Sequence, residues 1–231
     1  HKILGTGPSM TGGRGANSFG RSMIEMLGVL AIIGVLSVGG IAGYSKAMMK
    51  WQTNQQIEVI SQLLNTMIQY RESFGKDLQK GTSYLNLMPL LASTGNMPDI
   101  LTEYPQKLLG ATWYQDRFGF LYNVSYGIVS WQDNDKKLTS TESSINIWLP
   151  KSGSFLTQAS YEFCIAALNF AKANTQDVWR ASVWNYYTAG KRANFDYGEI
   201  TQLTAVQISD ACRPCSGTEN NCMVYLYLKM D

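Results

Sequence analysis

The sequence predicts an α+β protein in which one long N-terminal helix, apolar in its first half and amphipathic in its second, packs on an antiparallel sheet with a disulfide-bonded C-terminal region. Three observations carry this. Met26 to Tyr44 is a run of 19 residues without a formal charge, and it passes directly into a helical apolar period. From Ala111 onward the texture changes to alternation rich in aromatic and β-branched residues. All four cysteines, Cys164, Cys212, Cys215 and Cys222, fall in the last third of the chain.

A chain of 231 residues with 45% hydrophobic content is one ordinary domain plus an extension, and it can build a core. Its net charge of +2, from 19 basic and 17 acidic residues, gives no electrostatic case for nucleic acid, and no Lys/Arg run supplies one. No specific nucleic-acid partner is therefore predicted.

The first segment, residues 1–20, reads HKILGTGPSMTGGRGANSFG. It is rich in Gly and Ser, has no acidic residue and shows neither helical nor strand period, as expected of a leader rather than a domain. Position 1 is His and not Met, which leaves open whether the reading frame starts upstream.

At a rise of about 1.5 Å per residue, the run Met26–Tyr44 is long enough to cross a bilayer core as one helix. A secretory signal has a shorter apolar region, roughly 7–15 residues, closed by a small-residue cleavage site. Here the run continues instead into Ser45, Lys46 and Lys50. Lys2, Arg14 and Arg21 on one side nearly balance Lys46 and Lys50 on the other, so charge asymmetry does not orient the span.

Glu25 stands at the mouth of this run. An unpartnered carboxylate at the edge of hydrocarbon costs on the order of 3 kcal/mol, so it normally marks a function or meets a cation. The plainer reading is a headgroup-level charge at a helix N-terminus, where the dipole favours an anion.

Gly20, Arg21, Ser22, Met23, Ile24 and Glu25, followed by a long charge-free helix, resemble the processing site of type IV pilins and type II secretion pseudopilins. The resemblance implies cleavage after Gly20 by a prepilin peptidase and a mature chain that begins at Arg21, whose new amine is often N-methylated. It implies a leader left in the cytoplasm, an inner-membrane helix and a head outside. It further implies that Glu25 pairs with the N-terminal amine of a neighbouring subunit when helices bundle into a homo-oligomeric or mixed filament, with inner-membrane assembly machinery as a partner. A carboxylate carried into an apolar bundle is tolerable only when a cation meets it there, so a misregistered subunit would be penalised. The sequence departs from the family's commoner pattern in placing Arg21 where Phe or Met is usual, and in lacking a proline within this helix. Gly28, Gly34, Gly39, Gly40 and Gly43 can supply close packing in its place, and Gly39 to Gly43 has the small-xxx-small spacing.

Beyond the span, Ile57, Ile60, Leu64, Met67 and Ile68 recur on one helical face, with Gln55, Gln56, Ser61, Gln62 and Asn65 elsewhere. The helix is expected to run to Phe74 with Gly75 as its C-cap, giving a spine over 21–74 and a periplasmic or extracellular head over 75–231. Residues 76–110, punctuated by Gly81, Pro89, Gly95, Pro98, Pro105 and Gly110, read as loop with short helical turns. ATWYQ, FGFLYNVSYGIVSWQD and SSINIWLP are strand-like, with a turn at Asp133–Asn134. Residues 157–173 return to helical spacing through Phe163, Ile165, Ala166, Leu168 and Phe170. A polar, aromatic stretch follows to about Gly198, then one short helix in EITQLTAVQISDAC and a closing strand in NCMVYLYLKMD. This overall layout is closest to that of the larger type IVb pilins.

Cys212 and Cys215 form a C-x2-C pair that invites a zinc site completed by Cys222 and Cys164. A head placed outside the membrane meets oxidising conditions, which favours disulfides. Three pairings exist, and the favoured one joins Cys164 to Cys212 and Cys215 to Cys222. No cofactor or metal is predicted.

Catalytic constellations are scarce. His1 is the one histidine and lies in the expected leader, so no Ser/His/Asp or Cys/His arrangement forms in the mature chain. Asp133, Asp135, Glu142, Glu162 and Asp177 have no spacing that separates an acid–base pair from a solvated surface. Asp133, Asn134 and Asp135 lack a full calcium ligand set and read as a turn. Trp179, Trp184, Tyr186, Tyr187 and Tyr197 crowd one segment, suited either to packing or to an interface. Two readings follow: a filament subunit without enzymatic activity, or a single-pass anchored domain that is a binding module or an enzyme of unrecognised type.

Overall fold

The computed structural model describes residues 18–77, 85–133, 136–149, 154–185, 192–216 and 222–228. The chain divides into two units, His1–Met48 and Met49–Asp231. Helix α1, Ser18–Asp77, belongs to both. It passes through Gly75, the residue expected to cap it. A glycine inside a helix costs about 1 kcal/mol against alanine but does not forbid the next turn, and no proline follows before Asp77.

In the second unit the C-terminal part of α1 buries Val59, Ile60, Leu63, Leu64 and Met67, with Ile57 and Ile68 at the margin of the stripe. The stripe begins earlier than its apolar residues suggest. Gln52 and Gln56 lie on it and are buried, although Gln56 was expected on the polar side.

The segment expected as loop contains more structure than that. Strand β1 (Leu85–Asn86) precedes α2 (Met88–Ser93), and β2 (Thr102–Glu103) follows. Asn86 Oδ1 accepts from the Met88 amide at 3.0 Å and so caps α2 from two residues upstream, while Leu87, Met88 and Leu91 enter the core. Strand β3 (Tyr114–Gln115) turns at Gly119, whose φ of +89° lies in the left-handed region, into β4 (Leu121–Asp133). Strand β5 (Lys136–Trp148) pairs with β4 from Leu121↔Trp148 to Asp133↔Lys136. Of the expected turn, Asp133 ends β4 and Asn134 lies outside the described residues.

Helix α3 (Ser154–Ala173) buries Ser160, Phe163, Cys164, Ala167, Leu168 and Ala171, while Ile165, Ala166 and Phe170 stay half-buried at its edge. The polar, aromatic stretch after it is a hairpin, β6 (Val178–Asn185) and β7 (Arg192–Asp196). Strand character was hidden by Arg180, Ala181 and Ser182, whose types favour other contexts but which are fully buried here. The short helix expected next is two, α4 (Tyr197–Ile200) and α5 (Ala205–Cys212), the latter opened by a capping box between Thr204 and Gln207. Strand β8 (Cys222–Leu228) closes the chain.

The described strands form one antiparallel sheet in the order β2-β3-β4-β5-β8-β6-β7, with β1 also on β4. The C-terminal strand therefore lies between β5 and β6, tying the two halves of the sheet together. Alternation sorts the side chains onto two faces. Tyr122, Val124, Ile145, Ile147, Val224 and Leu226 meet α1 and α3 in the main core, where Phe120 and Phe163 pack edge to face at 5.0 Å. The opposite face carries a smaller cluster of Ala111, Trp113, Leu121 and Met223, flanked by Trp148, Trp184 and Tyr225. Beside it runs a buried amide–hydroxyl ladder in which Asn146 Nδ2 donates to Asn123 Oδ1 and Ser125 Oγ, and Ser144 Oγ donates to Asn146 Oδ1.

Disulfides join Cys164 to Cys212 and Cys215 to Cys222, the favoured pairing. The first fastens α3 to the end of α5; the second fastens the 3-10 turn Arg213–Ser216 to the start of β8.

Candidate functional site

The first unit holds one candidate feature, the apolar part of α1. Met23, Ile24, Met26, Leu27, Val29, Leu30, Ile32 and Ile33 are all more than half exposed, as are Val35, Leu36, Val38, Ile41 and Tyr44. An 18-residue window within Met23–Arg71 reaches a mean hydropathy of 2.2, and none of it is buried. Soluble monomers rarely expose contiguous apolar patches above a few hundred Å². This surface is compatible with a membrane anchor.

The backbone is helical without interruption across Gly20, Arg21 and Glu25, and Glu25 is exposed. An uninterrupted helix pairs its interior backbone groups within itself, as a hydrocarbon environment demands. Ser37 Oγ donates back to the Ile33 carbonyl at 2.7 Å, so its hydroxyl is not left bare on the apolar surface. At Gly28, Gly34, Gly39, Gly40 and Gly43 an added Cβ would meet no atom within 4 Å. Gly39 and Gly43, four residues apart, share one face and form a notch into which another backbone can approach.

Where the apolar run ends, basic and aromatic residues begin. In the second unit the Arg117 guanidinium lies 4.6 Å from the Trp51 ring centroid and 5.0 Å from that of Phe118, and the two rings meet edge to face at 5.9 Å. Amphipathic rings with basic neighbours are the composition found at membrane–water boundaries.

What locks α1 to the head within that unit is Asp116, which the sequence reading did not single out. Its Oδ1 accepts from the Phe118 and Phe120 amides at 2.8 and 2.9 Å, and its Oδ2 from Gln56 Nε2 at 3.3 Å and Tyr122 Oη at 3.1 Å. Burial pushes the Asp116 carboxyl above its ordinary value despite these four donors, and burial together with the Asp116 charge pushes the Tyr122 phenol well up. The one signal that could have found this lock is the isolated Asp in YQDRFG, whose short polar side chain favours turns.

The other candidates scatter. Glu162 lies on α3 and Asp177 precedes β6, while Asp135 falls outside the described residues. Among the described residues no group of three His, Cys, Asp or Glu side chains is placed to hold a metal ion. Trp179 and Trp184 lie on β6, Tyr197 opens α4, and Tyr186 and Tyr187 are outside the described residues. Of the described members of that group, Trp184 joins the outer-face cluster, 6.4 Å from Tyr225.

No protein-family model matches the chain, and no curated protein matches it. Among solved structures it is similar to one described as a crystal structure of type IV b pilin from Salmonella typhi, at 9% sequence identity and a TM-score of 0.43, over 73% of this chain and 96% of that one.

Proposed function

We propose that the chain is a structural subunit, a pilin or pseudopilin, that a prepilin peptidase cuts after Gly20 and that polymerises through its N-terminal helix into a type IV pilus or a type II secretion-like filament. The observation that carries this reading is the wholly exposed apolar stretch of α1, headed by the single carboxylate of Glu25. Such a surface requires lipid before assembly and other helices after it. Membrane helices associate through small-residue contacts and buried polar pairs, and α1 offers both, in its glycine notch and in Glu25.

On this reading the span waits in the bacterial inner membrane with the leader in the cytoplasm. The head, closed by two disulfides, faces the oxidising side. Assembly machinery lifts the subunit out, and Glu25 meets the amine of Arg21 on a neighbouring copy. The desolvated carboxylate makes register selective, because a subunit out of step buries a charge without its cation.

Replacing Glu25 with Ala tests this. The filament reading expects the variant to reach the membrane at wild-type level and to yield no sheared filaments by electron microscopy. Wild-type filament yield from Glu25→Ala would refute the pairing, and no filaments from either wild type or variant would favour a permanently anchored domain.

A further inference from the structure

Near the start of the second unit, two cations stand exposed beside one ring. The Arg117 guanidinium lies 4.6 Å from the Trp51 centroid and 5.0 Å from that of Phe118, and Arg117 remains open to solvent. Phe118 packs against the main core and Trp51 meets it edge to face at 5.9 Å, so the platform under Arg117 is fixed. Lys50 is exposed next to Trp51 on α1, and Trp51 itself is 42% exposed. Neither Lys50 nor Arg117 forms an ion pair with any described residue. Asp116, beside Arg117 in sequence, is buried and taken up by its four donors. Along α1 no acidic residue stands between Glu25 and Glu58. With 19 basic and 17 acidic residues the chain is nearly balanced, so this local excess of positive charge belongs to the site and not to the composition.

Position along the chain indicates what meets these cations. Lys50 and Trp51 follow Tyr44, the end of the charge-free run, by six and seven residues, which is about 9–10 Å of helical rise. A hydrocarbon core of about 30 Å is bordered on each side by the polar headgroup layer. In a helix the Cα–Cβ bonds tilt toward the N-terminus, and long basic side chains extend their charge toward the interface, so cations at this spacing reach headgroup level.

We infer that Lys50 and Arg117, the latter held on the Trp51 ring, bind the headgroups of anionic phospholipids and so seat the head on the bilayer before assembly. The inference rests on the reading of Met26–Tyr44 as a membrane span and adds the class of lipid that the span's neighbours select. Phosphate oxygens accept from the guanidinium and ammonium groups, and the planar fork of Arg117 meets no competing carboxylate. A zwitterionic headgroup carries an ammonium of its own, so net attraction requires a lipid with net negative charge. Lipid is favoured over a protein partner because these residues directly follow a run that itself requires lipid.

The test titrates the full chain in detergent micelles with phosphatidylglycerol or with phosphatidylcholine of the same acyl chains, and counts bound lipid by native mass spectrometry at low salt. The expected result is a first phosphatidylglycerol bound about 25-fold more tightly than a first phosphatidylcholine, from about fivefold per cation, with the ratio shrinking as salt is added. Lys50→Gln or Arg117→Gln alone should lower the ratio to about fivefold and the two together should abolish it, with unchanged melting curves, while Arg117→Lys keeps it. Equal affinity for the two lipids in wild type, or a preference that survives the double substitution, overturns the inference and leaves the span intact. Filaments lost in the double variant while the lipid preference persists would assign the two cations to a neighbouring protein, which also overturns it. Removal of the wild-type chain from vesicles by alkaline carbonate would overturn the membrane reading itself, and this inference with it.

Discussion

Asp116 makes the sharpest test of how the head holds the spine. Replacing it with Ala removes the acceptor for four donors, of which the Phe120 amide, the Tyr122 hydroxyl and the Gln56 amide are buried. Each buried donor left unsatisfied costs about 1–3 kcal/mol, offset in part because a buried carboxylate is also removed, so the net loss is about 3–5 kcal/mol. Asn behaves differently. Its Oδ1 keeps both backbone amides, and its Nδ2 donates to Tyr122 Oη and, after the Gln56 amide turns over, to Gln56 Oε1, which has no hydrogen-bond partner in the wild type. The Tyr122 hydroxyl proton and the turned Gln56 Nε2 then lack acceptors, so Asp116→Asn is expected to lose about 1–3 kcal/mol, less than Asp116→Ala because both backbone amides keep their acceptor and the buried charge is gone. pH supplies the second half of the test. The folded Asp116 carboxyl has a raised pKa, so the native state holds its proton more tightly. Its contribution to stability is fully present below the unfolded value and is lost as pH rises through the folded one. Denaturant unfolding of the detergent-solubilised chain, followed by tryptophan fluorescence with the disulfides intact, should show this slope in wild type and lose it in Asp116→Asn. An Asp116→Ala loss under 1 kcal/mol, or an Asn variant as damaged as the Ala variant, would refute the network argument.

Other perturbations have defined outcomes. Leu63→Ala, at a fully buried position on α1, should cost about 2–5 kcal/mol in the same unfolding assay. Cys164→Ser with Cys212→Ser opens a bridge spanning 48 residues and should lower stability by about 2–4 kcal/mol, with head expression falling in an oxidising compartment. Leu109→Gly should raise the melting temperature slightly, because relief of the left-handed strain is worth about 1 kcal/mol. Gly39→Leu with Gly43→Leu should leave head unfolding unchanged and abolish sheared filaments, since both glycines face open space within one subunit.

Much of this architecture can be read in the chain because two periods are written plainly. The charge-free run and the Ile60, Leu64, Met67 recurrence announce α1, and the alternation in SSINIW and CMVYLYL announces β5 and β8. Where local type and tertiary position disagree, reading fails. Gln52 and Gln56 look solvated but are buried, and Gln56 is held there by a carboxylate 60 residues away. Arg180 looks like a surface residue in VWRASVWN, yet it is fully buried 4.6 Å above the Tyr227 ring, within 3.6 Å of Asp196. Gly75 looks like a stop, but α1 continues two residues past it. The outer-face cluster is invisible for another reason: Ala111 and Trp113 meet Leu121 of β4 and Met223 of β8 there, and only the register of the sheet brings these together. Glu25 is the opposite case, conspicuous in sequence because nothing else charged accompanies it before Lys46.

The most direct measurement of the central claim is the intact mass and N-terminal sequence of the chain recovered from membranes of cells with and without a prepilin peptidase. The account predicts a chain that begins at Arg21 only when the peptidase is present. An uncut chain in both would contradict it and leave an anchored domain in place of a filament subunit.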